Sequence, residues 1–448
     1  MDNITIPSGA AIILDTLCDH GFEAYVVGGC VRDSLLGLEP NDWDICTSAT
    51  PEEVIEIFSG YRIIETGLKH GTVTLMYGDE PYEVTTFRTD GTYTDGRRPD
   101  SVDFVKDICE DLARRDFTMN AMAYNPSTGL VDPFGGQEDI AARCIRCVGC
   151  PDDRFREDGL RVMRALRFAS VYGFSLSPST AEAVHHNVRL LKRIAGERIN
   201  TELCKLLLGD DCLRVLMDYS DVISSFTGLA ACVGFEQNNR FHQYTVYDHI
   251  AHAVANYTGA DIVTKLALLW HDSGKPFHYT EDEKGGHFYG HNRTGTFIAA
   301  TVMTSLRFDN DTKGDVTELV FAHDEPIEPT TKCIRRWLNR IGAKQLYRLL
   351  DLQVADALAH SEGTQEKKLG KCARARAVLD EVLASEQCFS LKHLAINGRD
   401  ILALGVPEGK QIGAILQMLL GEVIDDCIEN ERDALLERAK EIIEIHSV

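Results

Sequence analysis

Asp42 and Asp44 flank Trp43 in a stretch that reads as extended chain, and side chains two apart on a β-strand share a face. The expected strand presents two carboxylates on one side and sends Trp43 into packing. Paired hard oxygens suit Mg²⁺, which keeps coordination positions free for nucleotide phosphates. Just upstream, Tyr25-Val26-Val27-Gly28-Gly29 reads as a strand running into a glycine turn. Bare backbone amides there can approach a triphosphate, and Arg32 can add a charged fork. An acidic pair, a glycine turn and an arginine in this order imply nucleotidyl transfer. A third carboxylate commonly completes a two-metal site, and Glu83, on the alternating run 82–87, is the candidate; the same residue could equally face solvent beside a hairpin.

The run from Glu157 to Ala169 carries the second piece of chemistry. Residues 158, 161, 164 and 167 are Asp, Arg, Arg and Arg, so on a helix they form one slowly drifting stripe, with Leu160, Met163 and Leu166 on the neighbouring one. An Asp and an Arg one turn apart offer an acceptor beside donors. Cytosine and adenine present an exocyclic amine beside a ring-nitrogen acceptor, and uracil and guanine reverse that order. Asp158 accepting from the amine while Arg161 donates to the ring nitrogen would therefore take C and A and reject U and G. The bland alternative is a helix with structural Asp–Arg pairs.

The segment from Ala24 to Ile45 resembles the signature of the DNA-polymerase-β-like nucleotidyltransferases, and within them the class II tRNA nucleotidyltransferases and bacterial poly(A) polymerases. Arg114-Arg115-Asp116-Phe117-Thr118-Met119-Asn120-Ala121 resembles the second motif of that family, and the resemblance implies that Arg115 contacts the nucleotide. By the same likeness Asp132-Pro133-Phe134-Gly135-Gly136 is the hinge after the head, Asp158 and Arg161 read the base, and Arg164 and Arg167 are further nucleotide contacts. Gly28, Gly29 and Arg32 would hold the triphosphate, with Mg²⁺ on Asp42 and Asp44. Residues 66–76, 197–203 and 396–424 are also similar to family segments, so the resemblance covers most of the chain. It implies template-independent addition of C, C and A to tRNA from CTP and ATP, with tRNA lying along the neck and body. The stretch Asp95-Gly96-Arg97-Arg98-Pro99-Asp100 looks full-length, which favours addition of both C and A. A poly(A) polymerase shares every head motif but tends to carry basic extensions, and the tail here is acidic. A binding-only head on a phosphohydrolase, or an RNA-binding protein without turnover, would leave the metal-ligand residues unexplained.

A second metal site is expected further on. His249, the doublet His271-Asp272 after the apolar run 266–270, and the distant Asp356 have the order of HD-domain phosphohydrolases, and His271-Asp272-Ser273-Gly274-Lys275 sharpens that likeness. These ligand types suit a second divalent metal. His287 and His291 could extend the site. Cys144, Cys147 and Cys150 have two-residue gaps but no fourth cysteine at cluster spacing, and on an extended run positions three apart face opposite sides.

The elements that must position these groups change character along the chain. An α+β fold is expected, with a small α/β head over 1–140, a helical neck over 141–225, a helical HD-like body over 226–360 and a helical, tRNA-binding tail over 361–448. In the head, 12–18 reads as a helix, 24–27 as a strand and 51–58 as a helix opened by Thr50. Residues 72–76 and 82–87 read as strands joined at 78–81, and 88–99 as a mobile loop. The 448 residues are 44% hydrophobic with a formal charge of −23, which excludes indiscriminate nucleic-acid binding. RNA contact must be local, and residues 151–200 carry nine Lys/Arg against six Asp/Glu. Residues 1–11 lack a signal-type pattern, no run offers ~20 apolar residues, and fourteen cysteines read as reduced thiols, so a cytoplasmic protein with no membrane partner is expected. The sequence leaves the oligomeric state open.

Overall fold

The computed structural model describes residues 4–91, 101–238, 243–283, 285–385 and 387–446. The chain forms two compact units, Met1–Thr227 with Ser305–Arg307, and Gly228–Thr304 with Phe308–Val448. The first unit starts with α1 (Ser8–Asp19), β1 (Ala24–Val27), α2 (Gly29–Leu35), β2 (Ile45–Thr47), α3 (Pro51–Ile57), β3 (Arg62–Ile64), β4 (Thr72–Tyr77) and β5 (Glu80–Thr86). It continues through β6 (Arg88–Asp90), β7 (Val102–Phe104), α4 (Ile108–Ala113), β8 (Ala123–Asn125), β9 (Gly129–Val131) and α5 (Gly136–Ala141). A seven-stranded mixed sheet runs β3-β4-β5-β2-β1-β8-β9, with β2 and β5 parallel and the other neighbours antiparallel. Thr50 and Glu53 close a capping box at the start of α3, and Pro51 presets its first turn.

Strand alternation sorts the sheet into two cores. Val26, Ile45, Leu75 and Val84 pack with Leu14 and Phe58, whereas Val27, Cys46, Phe87 and Ala123 pack with Leu112 of α4. Because both faces are buried, a one-residue slip would exchange the two sets and is strongly disfavoured.

Three expectations need correction. The acidic pair precedes β2 instead of riding on it; still, Val27 N donates to the Asp44 carbonyl at 3.0 Å, and Trp43 packs against the same core as Ile45, so extended alternation persists back through the pair. The stretch read as a loop from Arg88 begins as a β6–β7 ribbon, Arg88 opposite Phe104, and Asp95–Asp100 lies outside the described residues. The single helix expected across Asp158 is two: α6 (Pro151–Glu157) and α7 (Leu160–Tyr172). Asp158 is extended at φ −138°, and its carboxylate accepts from Leu160 N at 3.0 Å, so it opens α7. Gly159 lets the break sit close to its neighbour, since a Cβ there would lie 2.9 Å from Leu190 Cβ. The unit closes with α8 (Pro178–His186), α9 (Gly196–Leu207), α10 (Cys212–Asp218) and α11 (Ser220–Thr227).

The second unit carries α12 (Val246–Asn256), α13 (Ile262–Trp270), α14 (His291–Ser305), α15 (Asn310–Ala322), α16 (Thr331–Leu358) and α17 (Glu362–Ala384). A smaller cluster joins α18 (Gly398–Ala403), α19 (Lys410–Ile424) and α20 (Arg432–His446) through Ile401, Leu419 and Leu435. Gly342, at φ 74°, breaks α16 in two. Among the described residues no helix is long and apolar enough to cross a membrane.

One buried ion pair clasps α7 to the sheet domain. Asp116 accepts from Arg164 Nε at 2.7 Å, Asn120 Nδ2 at 3.0 Å and its neighbour Phe117 N at 2.8 Å. Burial opposes its charge, but Arg164, Asn120 and Arg161 outweigh that and pull the carboxyl down to about 2. A folded pKa below the unfolded one adds stability above the unfolded value near 3.9, and that stability is lost as pH falls toward the folded value. Asp116→Asn should therefore cost about 2 kcal/mol at pH 7 in urea unfolding, with the gap from the parent protein closing toward pH 2; coincident curves at pH 7 would remove the clasp from the account.

Candidate functional site

The parallel register sets Ile45 beside Val84, so the preceding residues Asp44 and Glu83 are neighbours across β2 and β5. Asp44 shares the face of Cys46, and Glu83 lies on the face opposite Tyr82 and Val84. Asp42, Asp44 and Glu83 therefore emerge together at the rim of the Cys46–Phe87 core. Desolvation, then repulsion from Asp42 and from Glu83, lifts the Asp44 carboxyl to about 6, with Arg115 pulling the other way. The summed charge of the three acids would draw a divalent cation to this rim, although they do not stand with their oxygens all within 4.8 Å of one another.

The glycine turn stands beside them. Gly28 takes φ 78° at the junction of β1 and α2, and its N–H donates to the Met122 carbonyl at 3.1 Å. A Cβ at Gly28 would lie 2.7 Å from Arg115 Nη1, so glycine is what admits that guanidinium. Arg115 also pairs with Asp111, which Arg114 holds at 2.8 Å.

Arg32 is buried and its fork is spent internally. Nε and Nη2 donate to Asp33 at 2.8 and 3.0 Å, Nη1 donates to Asn120, and the guanidinium lies 5.1 Å from the Phe168 ring and 5.0 Å from Tyr172. Arg164 and Arg167 reach the same Phe168 ring at 5.3 and 3.9 Å. Glu202 neutralises Arg167 at 2.8 Å. Three arginines named from sequence thus surround one aromatic ring, a cationic wall held by Asp33, Asp116 and Glu202.

Asp158 and Arg161 do not pair with each other through their side chains. Asp158 is held by Arg198 of α9, at 2.7 and 3.3 Å, a partner that sequence spacing could not reveal across 40 positions. Arg161 bonds Glu157 and the carbonyls of Arg154 and Arg114, the latter two at 3.0 Å. Both side chains are occupied by protein groups.

In the second unit the four HD-ordered residues converge. His249 Nε2 lies 2.9 Å from Asp356 and 3.4 Å from Asp272, and His271 Nε2 lies 3.3 Å from Asp272. Asp272, His291 and His323 form an adjoining group, while His287 turns away to Asp282 at 3.0 Å. His323 was missed, although His323-Asp324 follows the apolar run 319–322 much as His271-Asp272 follows 266–270. Burial opposes protonation of His271, yet Asp272 and Asp356 outweigh it and push the imidazole up to about 10. A cavity of about 960 Å³ opens on this cluster. Among the described residues Cys144, Cys147 and Cys150 join no such group, and their thiols are free.

Three family models match the chain: the poly(A) polymerase head domain over residues 24–146, the probable RNA- and SrmB-binding site of polymerase A over 173–220, and the putative second domain of tRNA nucleotidyltransferase over 297–439. The chain is 50% identical over 222 residues to a CCA-adding enzyme of Lactobacillus delbrueckii, an alignment that spans only about half of each protein, 49% of this chain and 56% of the relative. With the CCA-adding enzyme of Limosilactobacillus fermentum it shares 34% identity over 439 residues, 96% of each. The crystal structure of the Bacillus stearothermophilus CCA-adding enzyme in complex with CTP superposes with a TM-score of 0.74 at 32% identity, over 98% of both chains. A Thermotoga maritima CCA-adding enzyme complexed with tRNA, 20% identical, shares the fold at a TM-score of 0.60, over 98% of this chain and 97% of the other. The chain belongs to the family of CCA-adding enzymes.

Proposed function

We propose that this chain adds C, C and A to the 3′ end of tRNA without a nucleic-acid template, using CTP and ATP and releasing pyrophosphate. The observation that carries the reading is the meeting of Asp42, Asp44 and Glu83 with the Gly28 turn and Arg115 at one rim of the sheet. Magnesium is the proposed ion on Asp42 and Asp44; it would supply Lewis-acid polarisation of the α-phosphate and lower the pKa of the attacking tRNA hydroxyl. Glu83 keeps the negative potential of the pair high. The Gly28 and Gly29 backbone and Arg115 take the triphosphate; Arg32, Arg164 and Arg167, each paired with an acid here, would have to exchange Asp33, Asp116 or Glu202 for the nucleotide to contact it. The tRNA hydroxyl oxygen bonds to the α-phosphorus, the bond to pyrophosphate breaks, and no covalent enzyme intermediate is needed.

Base choice is assigned to Asp158 and Arg161. For either to read a base it must exchange a protein partner, Arg198 or Glu157, for the nucleotide, which keeps each charge paired throughout. The tRNA is recognised mainly by shape, as an enzyme serving every tRNA requires. Fourteen free thiols suit a reducing cytoplasm.

Asp42→Ala should lower incorporation of both CMP and AMP on the order of 10³-fold while leaving the melting curve in place; incorporation within a few-fold of the parent protein would reject the metal role. Arg161→Ala should relax the preference for C and A over U and G by about 1–2 kcal/mol, or roughly five- to thirtyfold. The measurement uses tRNAs lacking CCA, CA or the terminal A, each offered one labelled nucleotide at a time. Unchanged base preference would count against Arg161 as a reader, and runs of A on every substrate would indicate poly(A) synthesis instead.

A further inference from the structure

The last residue of α7 reaches back to the sheet domain. Tyr172 Oη donates to Asp33 Oδ1 at 2.9 Å, across 139 positions, and the same oxygen accepts from Arg32 Nε at 2.8 Å. The tyrosine is firmly placed. Phe168 and Tyr172 lie about one turn apart on α7, their rings stacked at 5.8 Å and 19° from parallel, and Phe174 packs on Tyr172 at 5.9 Å. Gly173 takes φ 64° to end the helix, and Arg143 Nη2 donates to the Tyr172 carbonyl at 3.2 Å. Burial first, and then Asp33 against the pull of Arg32, push the phenol up to about 12, so it is a proton donor at any pH near neutrality.

Asp33 needs that donor most when Arg32 is elsewhere. Its side chain is only 15% exposed, and it accepts two bonds from Arg32, at 2.8 and 3.0 Å, besides the one from Tyr172. Arg32 must give up those two to contact a triphosphate. Were Arg164 to leave Asp116 in the same way, Asn120 Nδ2 and Phe117 N would stay on that carboxylate, at 3.0 and 2.8 Å. What Asp33 keeps is the phenol. A carboxylate withdrawn from water and stripped of its cation is costly unless a donor stays with it. A hydroxyl also bonds a bare carboxylate more strongly than one that a guanidinium already neutralises. The Tyr172 bond therefore strengthens as Arg32 departs, which favours the exchanged state. We propose that Tyr172 is a positioning residue for nucleotide binding: its hydroxyl holds Asp33 while Arg32 turns to the triphosphate, and so lowers the concentrations of CTP and ATP at which the site fills. This rests on the reading of Arg32 as a triphosphate contact. Because that contact is common to both nucleotides, Tyr172 bears equally on CTP and ATP and leaves the choice of base to Asp158 and Arg161. Its contribution is made in binding, so it acts on KM and not on kcat.

The test uses the full chain, with labelled CTP on tRNA lacking CCA and labelled ATP on tRNA ending in CC. Tyr172→Phe keeps the ring, its stacking and its 5.0 Å contact with the guanidinium, and removes the hydroxyl alone. It should raise KM for both nucleotides about fivefold, with kcat within about twofold, base preference unchanged and the thermal melt in place. In an Asp33→Asn background, where no charge is left behind, the same change should move KM by less than about twofold. That non-additivity separates action through Asp33 from a general loosening of α7. An unaltered KM in Tyr172→Phe overturns the proposal, as does a rise confined to one nucleotide or a rise undiminished by Asp33→Asn. Arg32→Ala tells these results from a failure of the underlying reading. If its KM also stays at the parent value, Arg32 is no triphosphate contact and both fall; if its KM rises while that of Tyr172→Phe does not, only the role of Tyr172 falls.

Discussion

Repulsion among carboxylates is the constraint on which the first unit is built. Asp42, Asp44 and Glu83 are gathered by a parallel strand pair whose register is held by two separate cores, so the acids cannot drift apart without unpacking hydrophobic residues on one face or the other. Burial first and the gathered charges second raise the Asp44 carboxyl. The compensation is distributed. Arg115 offsets it from beside Gly28, Asp111 holds Arg115 and Arg114 together, and the Arg114 carbonyl accepts from Arg161 on α7. A continuous run of charge and hydrogen bonds thus links the proposed metal ligands to a proposed base reader.

That linkage accounts for the protein partners that the proposed base readers hold. Arg161 is buried and Asp158 half-buried, and each carries a resident partner that offsets the loss of water around its charge. A cytosine or adenine that returns equivalent bonds exchanges one set of contacts for another. Uracil or guanine would set acceptor against acceptor and donor against donor. The penalty of roughly 1–3 kcal/mol for each group left unsatisfied then supplies selectivity without any shape filter.

How much of this was legible in the sequence depended on the distance over which the deciding interaction acts. β1, the Gly28 turn and the shared face of Asp42 and Asp44 follow from period two and from glycine's backbone freedom, both local. The helix across Asp158 was over-read because recurrence every three residues says nothing about the close packing of Gly159 on Leu190. Arg198 and Glu202, which hold Asp158 and Arg167, come from α9 and carry no local mark. Of the second unit's clustered residues, four follow from their order and His291 from its neighbours, but His323 is brought in by the packing of α15, and only its echo of the His271-Asp272 pattern marks it.

The two ligand sets also explain how one chain could use different ions without confusing them. At the sheet rim the proposed donors are carboxylate oxygens, a hard set that would keep room for phosphate oxygens. In the helical unit the clustered side chains are imidazoles with Asp272 and Asp356, a set that would favour borderline metals over Mg²⁺. A chain with a formal charge of −23 attracts cations generally, so selectivity must come from donor type and rigidity, not from field. The same charge repels polynucleotides, so the RNA end is proposed to be held locally, near the surplus of Lys and Arg over residues 151–200, most of whose arginines also pair with acids. Local attraction of that kind brings in a terminus without gripping the whole molecule, which suits an enzyme that must release each product after three additions.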